Sequence, residues 1–143
     1  MIVFLDTSAL VKLYLREPYS ETVKTLVGVA EAVGVSRIAW AEFHAALARR
    51  AREVPSDAAG IEVARRMLAG EWGNYLVLEV SQHVVEMAGE YADAFALRGY
   101  DAVQLASASE AASVSELPLT FACFDLRLNR AAKLLGMSVL DVN

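Results

Sequence analysis

The sequence contains very little cysteine and histidine. Its only cysteine is Cys123, so no disulfide can form within one chain. One cysteine and two isolated histidines, His44 and His83, do not provide the ligand set of a zinc site. We interpret the histidines as helix residues without a catalytic partner and Cys123 as a core residue. Metal chemistry in this chain would therefore depend on oxygen ligands.

Long apolar runs and a basic leader are also missing. No apolar stretch approaches the roughly 20 residues of a membrane-spanning helix. The opening MIVFLDTSAL has no basic leader and reaches an acid at Asp6, which argues against a signal peptide. These features predict a cytoplasmic protein that does not enter a membrane. A length of 143 residues with 56% apolar content predicts a single domain, 1–143, with a well-supplied core.

The chain lacks the excess of basic charge that many nucleic-acid-binding proteins show. Its 13 Lys and Arg against 18 Asp and Glu give a net charge of −5. Basic residues do cluster at 49–66 and 127–133, although such runs are usually solvated helix faces. A group of acids that binds cations would make the formal charge misleading. The net charge therefore does not exclude a nucleic-acid partner.

Short unbroken apolar runs alternate with longer helical patterns. Unbroken runs are typical of strands that are buried on both faces, and their alternation with helices predicts an α/β domain with a mainly parallel sheet. The predicted strands are Ile2–Leu5, Gly34–Ser36, Tyr75–Val80, Leu119–Phe124 and Ser138–Leu140. The predicted helices are Ser8–Leu15, Ser20–Ala32, Ala39–Arg52, Asp57–Ala69, Gln82–Leu97, Ala102–Ser113 and Leu126–Leu135.

Two predicted strands end in an aspartate that precedes a helix. These are Asp6 after the first strand and Asp125 after the fourth. Sites in open parallel sheets form outside the carboxyl ends of the strands, so adjacent strands would place both carboxylates in one crevice. Glu42 lies in a largely apolar helical pattern, and Asp101 lies at a helix N-terminus that favours an anion. Taken singly, the aspartates are also good helix caps, and Glu42 fits a surface position.

The combination of these acids indicates chemistry. Several carboxylates in one cleft repel one another, so they must take up protons or bind cations. Hard oxygen ligands suit Mg²⁺ or Mn²⁺. An ion held in this way can activate water and stabilise charge on a phosphodiester. The acids alone leave open whether the substrate is DNA, RNA or a small phosphoester.

Four sequence blocks carry these acids: MIVFLDTSALVKLYLRE with Asp6, SRIAWAEFHAALARR with Glu42, LRGYDAVQLASA with Asp101, and TFACFDLRLNRAAKLLGMSVL with Asp125. In this order, over nearly the whole chain, the blocks resemble the PIN-domain ribonucleases, and within them the VapC-type toxins of toxin–antitoxin pairs. The run FACF departs from the family pattern, which has a polar residue closer to the last acid.

The resemblance implies a fold, an activity and partners. The fold would be a PIN-like three-layer α/β/α sandwich with a mainly parallel sheet of about five strands. The activity would be metal-dependent endoribonuclease cleavage of RNA (tRNA, rRNA or mRNA) by the toxin of a toxin–antitoxin pair. The partners would be a cognate antitoxin protein and a second copy of the chain in a homodimer.

The resemblance also implies roles for the four acids. Asp6 and Asp101 would be the principal ligands of one or two Mg²⁺ or Mn²⁺ ions. Asp125 would bind the metal directly or through water. Glu42 would complete the pocket and orient or deprotonate the attacking water.

Neighbouring residues would support this site. Thr7 or Ser8 would support Asp6 through hydroxyl or backbone hydrogen bonds, and we expect them to take over helix capping and leave the carboxylate of Asp6 free. Arg98 and Arg127 lie next to site acids and fit either RNA phosphates or carboxylates. Gln104, one turn after Asp101, fits either the cleft or solvent.

Two alternatives have different signatures. An aspartyl-phosphate enzyme of the haloacid dehalogenase type needs a second acid two residues after Asp6, where this chain has Ser8. A degenerate PIN-like module that binds RNA or protein without catalysis would not need all four acids. Binding of Mn²⁺ separates such a module from a nuclease.

Overall fold

Five parallel strands form one sheet, in the order β3-β2-β1-β4-β5, within residues 1–140, which the computed structural model describes. The strands are β1 (Ile2–Leu5), β2 (Ala32–Ser36), β3 (Leu76–Leu78), β4 (Leu119–Ala122) and β5 (Ser138–Val139). Seven α-helices are described in the same range: α1 (Thr7–Tyr14), α2 (Ser20–Val29), α3 (Ala39–Glu53), α4 (Ala58–Glu71), α5 (Gln82–Phe95), α6 (Gly99–Ser115) and α7 (Leu126–Leu134). The predicted α/β class with a parallel sheet is confirmed.

Helices cover both faces of the sheet and make three layers. Alternate residues of β1 point to opposite faces, so Val3 and Leu5 pack with α1, α2, α3 and α4, whereas Ile2 and Phe4 pack with α6 and α7. Helix α5 packs on α6 through a smaller cluster that includes Val84. Burial on both faces explains why β1 is an unbroken apolar run. The predicted α/β/α sandwich is confirmed.

The topology leaves a crevice beside the central strand. Strand β1 pairs with β2 on one side and with β4 on the other, so the chain changes direction across the sheet at β1. The N–H of Asp6 continues the pairing with β4 by donating to the carbonyl of Ala122 at 3.1 Å. Ligand sites in open parallel sheets lie at such switch points, outside the carboxyl ends of the strands.

Several predicted boundaries are wrong. Helix α2 ends at Val29 and not at Ala32, because Ala32 opens β2 in register with Ile2. Helix α6 begins at Gly99 and not at Ala102, which places Asp101 inside its first turn. The strand runs that we predicted for β3 and β4 are shortened in the structure to three and four residues. Of their remaining residues, Tyr75 precedes β3, whereas residues 79–80 and 123–124 lie in the connections to α5 and α7.

Within residues 1–140, no helix has the combination of length and apolar character that crossing a membrane requires. The prediction of one domain over 1–143 stays a prediction, because residues 141–143 lie outside the described part of the chain.

Gly34 of β2 provides a test of the close packing between the sheet strands. A Cβ at this position would lie 3.2 Å from Cδ2 of Phe4 and 3.7 Å from the carbonyl oxygen of Leu76. We expect Gly34→Val to reduce the free energy of unfolding by about 1–3 kcal/mol, because the core cannot accept the added methyl groups without strain. Urea denaturation measures the change.

Gly89 provides the matched control, since it lies in the middle of α5 and a Cβ added there would meet nothing within 4 Å. Gly89→Ala should raise the free energy of unfolding by up to about 1 kcal/mol through helix propensity. Equal stability of Gly34→Val and the wild type would contradict the packing described for β2.

Candidate active site

The four acids lie at or close to the starts of four helices at the carboxyl edge of the sheet. Asp6 directly precedes α1, and Asp125 directly precedes α7. Glu42 lies in the first turn of α3, and Asp101 lies in the first turn of α6. Helices α1, α3 and α7 each follow a parallel strand, so they start at one edge of the sheet. Helix α6 instead follows α5 and leads into β4, and its first turn brings Asp101 to the pocket that Asp125 also lines.

Asp6 is the most buried of these acids, with 7% of its surface exposed. Its Oδ1 accepts the backbone N–H of Ala9 at 3.0 Å and the hydroxyl of Ser8 at 2.7 Å. Burial raises the pKa of Asp6, and the charge of Asp101 adds to that rise. The hydrogen bonds from Ala9, Ser8 and the Cys123 thiol oppose the rise in pKa.

Asp6 itself caps α1, so the expectation that Thr7 and Ser8 take over the capping is wrong. A carboxylate has about four lone-pair sites on two oxygens, and the hydrogen bonds from Ala9 and Ser8 both go to Oδ1. One aspartate can therefore cap a helix and still present an oxygen to a ligand. Capping and metal binding, which the sequence presented as alternatives, are compatible at this residue.

Thr7 and Ser8 have different partners in the structure. Ser8 donates to Asp6, as expected for a supporting hydroxyl. The hydroxyl of Thr7 instead donates to Oε1 of Glu42 at 2.9 Å, across to α3. Gln104 of α6 reaches the same place, and its Nε2 lies 2.8 Å from Oε1 of Glu42 and 3.1 Å from Oγ1 of Thr7. This three-residue group, Thr7, Glu42 and Gln104, is referred to below as the Glu42 network.

Asp101 and Asp125 form the more open part of the site. Asp101 is half-buried; burial raises its pKa, the charge of Asp125 adds to the rise, and the charge of Arg98 opposes it. Asp125 is exposed, and its Oδ1 caps α7 by accepting the N–H of Leu128 at 3.0 Å. The two acids border a pocket of about 480 Å³ that is also lined by Arg98 and Arg127.

Cys123 is a buried residue that contacts both Asp125 and Asp6. Its sulfur accepts the backbone N–H of Asp125 at 3.3 Å, and its thiol also stabilises the charged form of Asp6. Burial raises the pKa of the thiol, so Cys123 stays neutral and does not act as a nucleophile. Asn129 fixes this turn further by donating from Nδ2 to the carbonyl of Cys123 at 3.0 Å. The departure of FACF from the family pattern therefore keeps a hydrogen-bonding residue next to Asp125.

The site offers oxygen donors suited to a hard divalent cation. The charge of Asp101 raises the pKa of Asp6, and the charge of Asp125 raises the pKa of Asp101. A cation bound among the three carboxylates would therefore reduce the repulsion between them. Within residues 1–140, no three Asp, Glu, His or Cys side chains converge closely enough to make a ready metal cage. The arrangement fits an ion that keeps several waters and binds through one or two carboxylates, which is the habit of Mg²⁺.

The two histidines lie outside this group. His83 of α5 pairs with Glu110 of α6 at 3.3 Å, an acidic partner that sequence spacing alone did not suggest. The ring of His44 lies 5.1 Å from that of Trp40 at a tilt of 49°, and burial lowers the pKa of His44. The sequence left Gln104 between the cleft and solvent, and the structure places it in the cleft, buried against Thr7 and Glu42. No sequence pattern indicated these two partners, which come from other helices.

Comparisons with known proteins identify similar sequences and similar folds. Residues 3–134 match the family model described as PIN domain. Ribonuclease VapC49 of Mycobacterium tuberculosis is 36% identical over 138 residues, which cover 96% of this chain and 94% of VapC49. PAE2754 from Pyrobaculum aerophilum has a TM-score of 0.66 at 22% identity, covering 97% of this chain and 89% of that one. VapBC2 from Rickettsia felis, bound to a DNA fragment from its promoter, has a TM-score of 0.61 at 14% identity, covering 98% of both chains.

The burial of Asp6 predicts that its ionised carboxylate, which the proposed site needs, lowers the stability of the fold. Because its pKa is higher in the folded protein than the ordinary value of 3.8, the ionised form disfavours folding. This penalty is fully present above the folded pKa and disappears as the pH falls below the unfolded pKa. We expect Asp6→Asn, which keeps a good helix cap, to raise the melting temperature by a few degrees at pH 7 in EDTA. The advantage should shrink as the pH falls towards about 4.

Asp93→Asn is the matched control, because Asp93 is exposed on α5 and the same charge is removed. Differential scanning calorimetry of both variants across this pH range measures the effect. A lower melting temperature for Asp6→Asn than for the wild type at pH 7 would show that the ionised carboxylate stabilises the fold, contrary to this expectation.

Proposed function

The chain belongs to the PIN-domain family, and on that premise we propose that it is a divalent-metal-dependent endoribonuclease and the toxin of a toxin–antitoxin pair. The observation that carries the proposal is the gathering of Asp6, Glu42, Asp101 and Asp125 at one edge of the sheet, where the pKa values of Asp6 and Asp101 are raised. RNA as substrate rests on relatives that are named ribonucleases.

Asp6 and Asp101 would hold the ion, with Asp125 binding directly or through water. The ion would be Mg²⁺ or Mn²⁺, and when bound it lowers the pKa of water and offsets charge on the phosphate. Asp125 suits a water-mediated contact because it is exposed and one of its oxygens caps α7. Repulsion between the carboxylates lowers the stability of the metal-free protein. A bound cation would remove this repulsion, and its affinity for the site is higher for that reason.

Glu42 would act on the attacking water. Its Oε1 is held by Thr7 and Gln104, and among the described residues no hydrogen-bond donor occupies Oε2. Oε2 would orient the water and accept its proton as the water oxygen attacks phosphorus. The bond from phosphorus to the leaving ribose oxygen would then break, that oxygen would take up a proton from solvent water, and no covalent intermediate with the enzyme would form.

Arg98 and Arg127 would bind the phosphates of the RNA. Both are exposed and line the pocket that Asp101 and Asp125 border. Arg127 is oriented by a hydrogen bond from its Nη1 to the carbonyl of Ala96 at 3.3 Å. These two charges supply local attraction for a polyanion in a protein whose net charge is −5.

The proposed partners follow from the relatives and from the surface. The structural match to VapBC2, a toxin–antitoxin assembly, supports a cognate antitoxin as partner. We propose the cytoplasm as the place where the two proteins meet. Exposed apolar side chains such as Val29, Val114 and Leu134 are suited to contacts with an antitoxin or with a second copy in a homodimer.

Replacement of a metal-binding acid tests the reaction. Asp101→Asn should reduce cleavage of RNA by more than the roughly 10- to 100-fold that loss of an outer-shell partner costs. EDTA should abolish wild-type cleavage, and added Mn²⁺ should restore it. Gel analysis of total tRNA and rRNA measures cleavage, and growth arrest on expression provides a cellular measure.

Asp93→Asn controls for the change in net charge and should cleave like the wild type, since Asp93 lies on the exposed face of α5. Unchanged cleavage by both Asp6→Asn and Asp101→Asn, or full activity in EDTA, would contradict the proposed reaction. Failure of the wild type to bind Mn²⁺ in a calorimetric titration would instead favour a module without catalysis.

The arginines of the pocket can be tested separately from the acids. Arg127→Gln should raise KM for RNA with little change in kcat, because it removes a phosphate interaction that is present before and during the reaction. The salt dependence of log KM should become shallower by about 0.7 for each phosphate interaction that is removed, the value for single strands.

Arg66→Gln is the matched control, because Arg66 is exposed on α4 and does not line this pocket. Its KM and salt dependence should equal those of the wild type. Equal effects at Arg66 and Arg127 would show that only the overall charge matters and would remove the pocket arginines from the proposal.

A further inference from the structure

Gln104 is a buried polar residue at the base of the proposed site. Only 3% of its surface is exposed, and it lies one turn after Asp101 on α6. A buried amide is costly unless its hydrogen-bonding groups have partners. The partners of Gln104 come from two other elements, Thr7 at the start of α1 and Glu42 in the first turn of α3.

The donors and acceptors of this network fit only one arrangement. The two hydrogens of Nε2 go to Oε1 of Glu42 at 2.8 Å and to Oγ1 of Thr7 at 3.1 Å. The single hydroxyl hydrogen of Thr7 goes to Oε1 of Glu42 at 2.9 Å. Every donor is therefore used, and Oε1 of Glu42 is the acceptor on which two of them converge. If the amide of Gln104 were rotated by 180°, its oxygen would face the carboxylate oxygen of Glu42. Two acceptor oxygens repel each other, so this orientation is disfavoured.

The other end of the Gln104 amide is left without a partner. Its Oε1 is buried and has no hydrogen bond from the described residues. A buried acceptor without a hydrogen bond lowers the stability of the folded protein. A residue kept only for stability would be better replaced by an apolar side chain of similar size, so this arrangement is typical of a functional site.

The geometry points to Gln104 as a positioning residue that holds Oε1 of Glu42, together with Thr7, and thereby presents Oε2 of Glu42 to the water and the ion. This inference rests on the proposed function. Gln104 itself touches neither substrate nor metal. It connects α6, which carries Asp101, to α3, which carries Glu42, so the two acids keep a fixed spacing.

A double-mutant cycle tests this role. Gln104→Met keeps the approximate size of the side chain and removes both donors. We expect it to lower kcat by about 10- to 100-fold, with KM for RNA nearly unchanged and a melting temperature no lower than that of the wild type. In the Glu42→Ala background, the same substitution should have no further effect, because residues that act as a unit are not additive.

Gln82→Met is the matched control, since Gln82 is exposed at the start of α5. Thr7→Val provides a second variant that breaks the same network while keeping the shape of the side chain. It should give the same loss of kcat and the same absence of effect in the Glu42→Ala background. Wild-type kcat in Gln104→Met, or a full additional loss in the Glu42→Ala background, would overturn the inference.

A titration with Mn²⁺ alone separates this inference from the proposed function. The Mn²⁺ concentration that gives half of the rise in melting temperature should increase about tenfold in Gln104→Met and stay unchanged in Gln82→Met. If the wild type cleaves no RNA, the proposed function fails, and this titration still decides the role of Gln104. If the Mn²⁺ concentration at half of the rise in melting temperature is unchanged in Gln104→Met, the positioning role of Gln104 is wrong.

Discussion

The hydrogen bond from the N–H of Asp6 to the carbonyl of Ala122 is the constraint on which the site depends. It extends the pairing of β1 and β4 by one residue beyond the end of β1. Because β1 is the central strand, with β2 on its other side, its end has little freedom to move. The most buried acid is thus fixed by the backbone of the sheet, and the other acids are arranged around it by helices that start at the same edge.

This placement brings carboxylates together, and the charge of Arg98 opposes the rise in pKa only at Asp101. Asp6 and Asp101 respond with raised pKa values, caused first by burial and then by neighbouring acids. The structure limits the cost by hydrogen bonding: a single oxygen of Asp6 takes two bonds, and a single oxygen of Asp125 caps α7. Helix N-termini then stabilise the charged forms, which keeps a mutually repelling group of acids compatible with a stable fold.

The sequence was informative where local patterns carry the signal. An apolar run that ends in an acid before a helix identified Asp6 and Asp125 as neighbours, because parallel strands align their carboxyl ends. The end of α2 was missed because the pairing of Ala32 with Ile2, a tertiary contact, outweighs the helical pattern. The partner of Thr7 was missed for a similar reason, since the contact with Glu42 depends on how α3 packs against α1.

Gln104 and Cys123 show why residue type alone is a poor guide near such a site. A cysteine in an apolar strand resembles a core position, and a glutamine one turn after Asp101 fits either the cleft or solvent, yet both are buried. Their polar atoms nevertheless contact the residues around the acids: Nε2 of Gln104 holds Glu42, and Sγ of Cys123 accepts from the N–H of Asp125. Buried polar groups thus hold the acids in place, although their burial alone would suggest that these residues serve only to pack the core. For this reason the geometry of a charged site depends as much on the neutral side chains beneath it as on the carboxylates that define it.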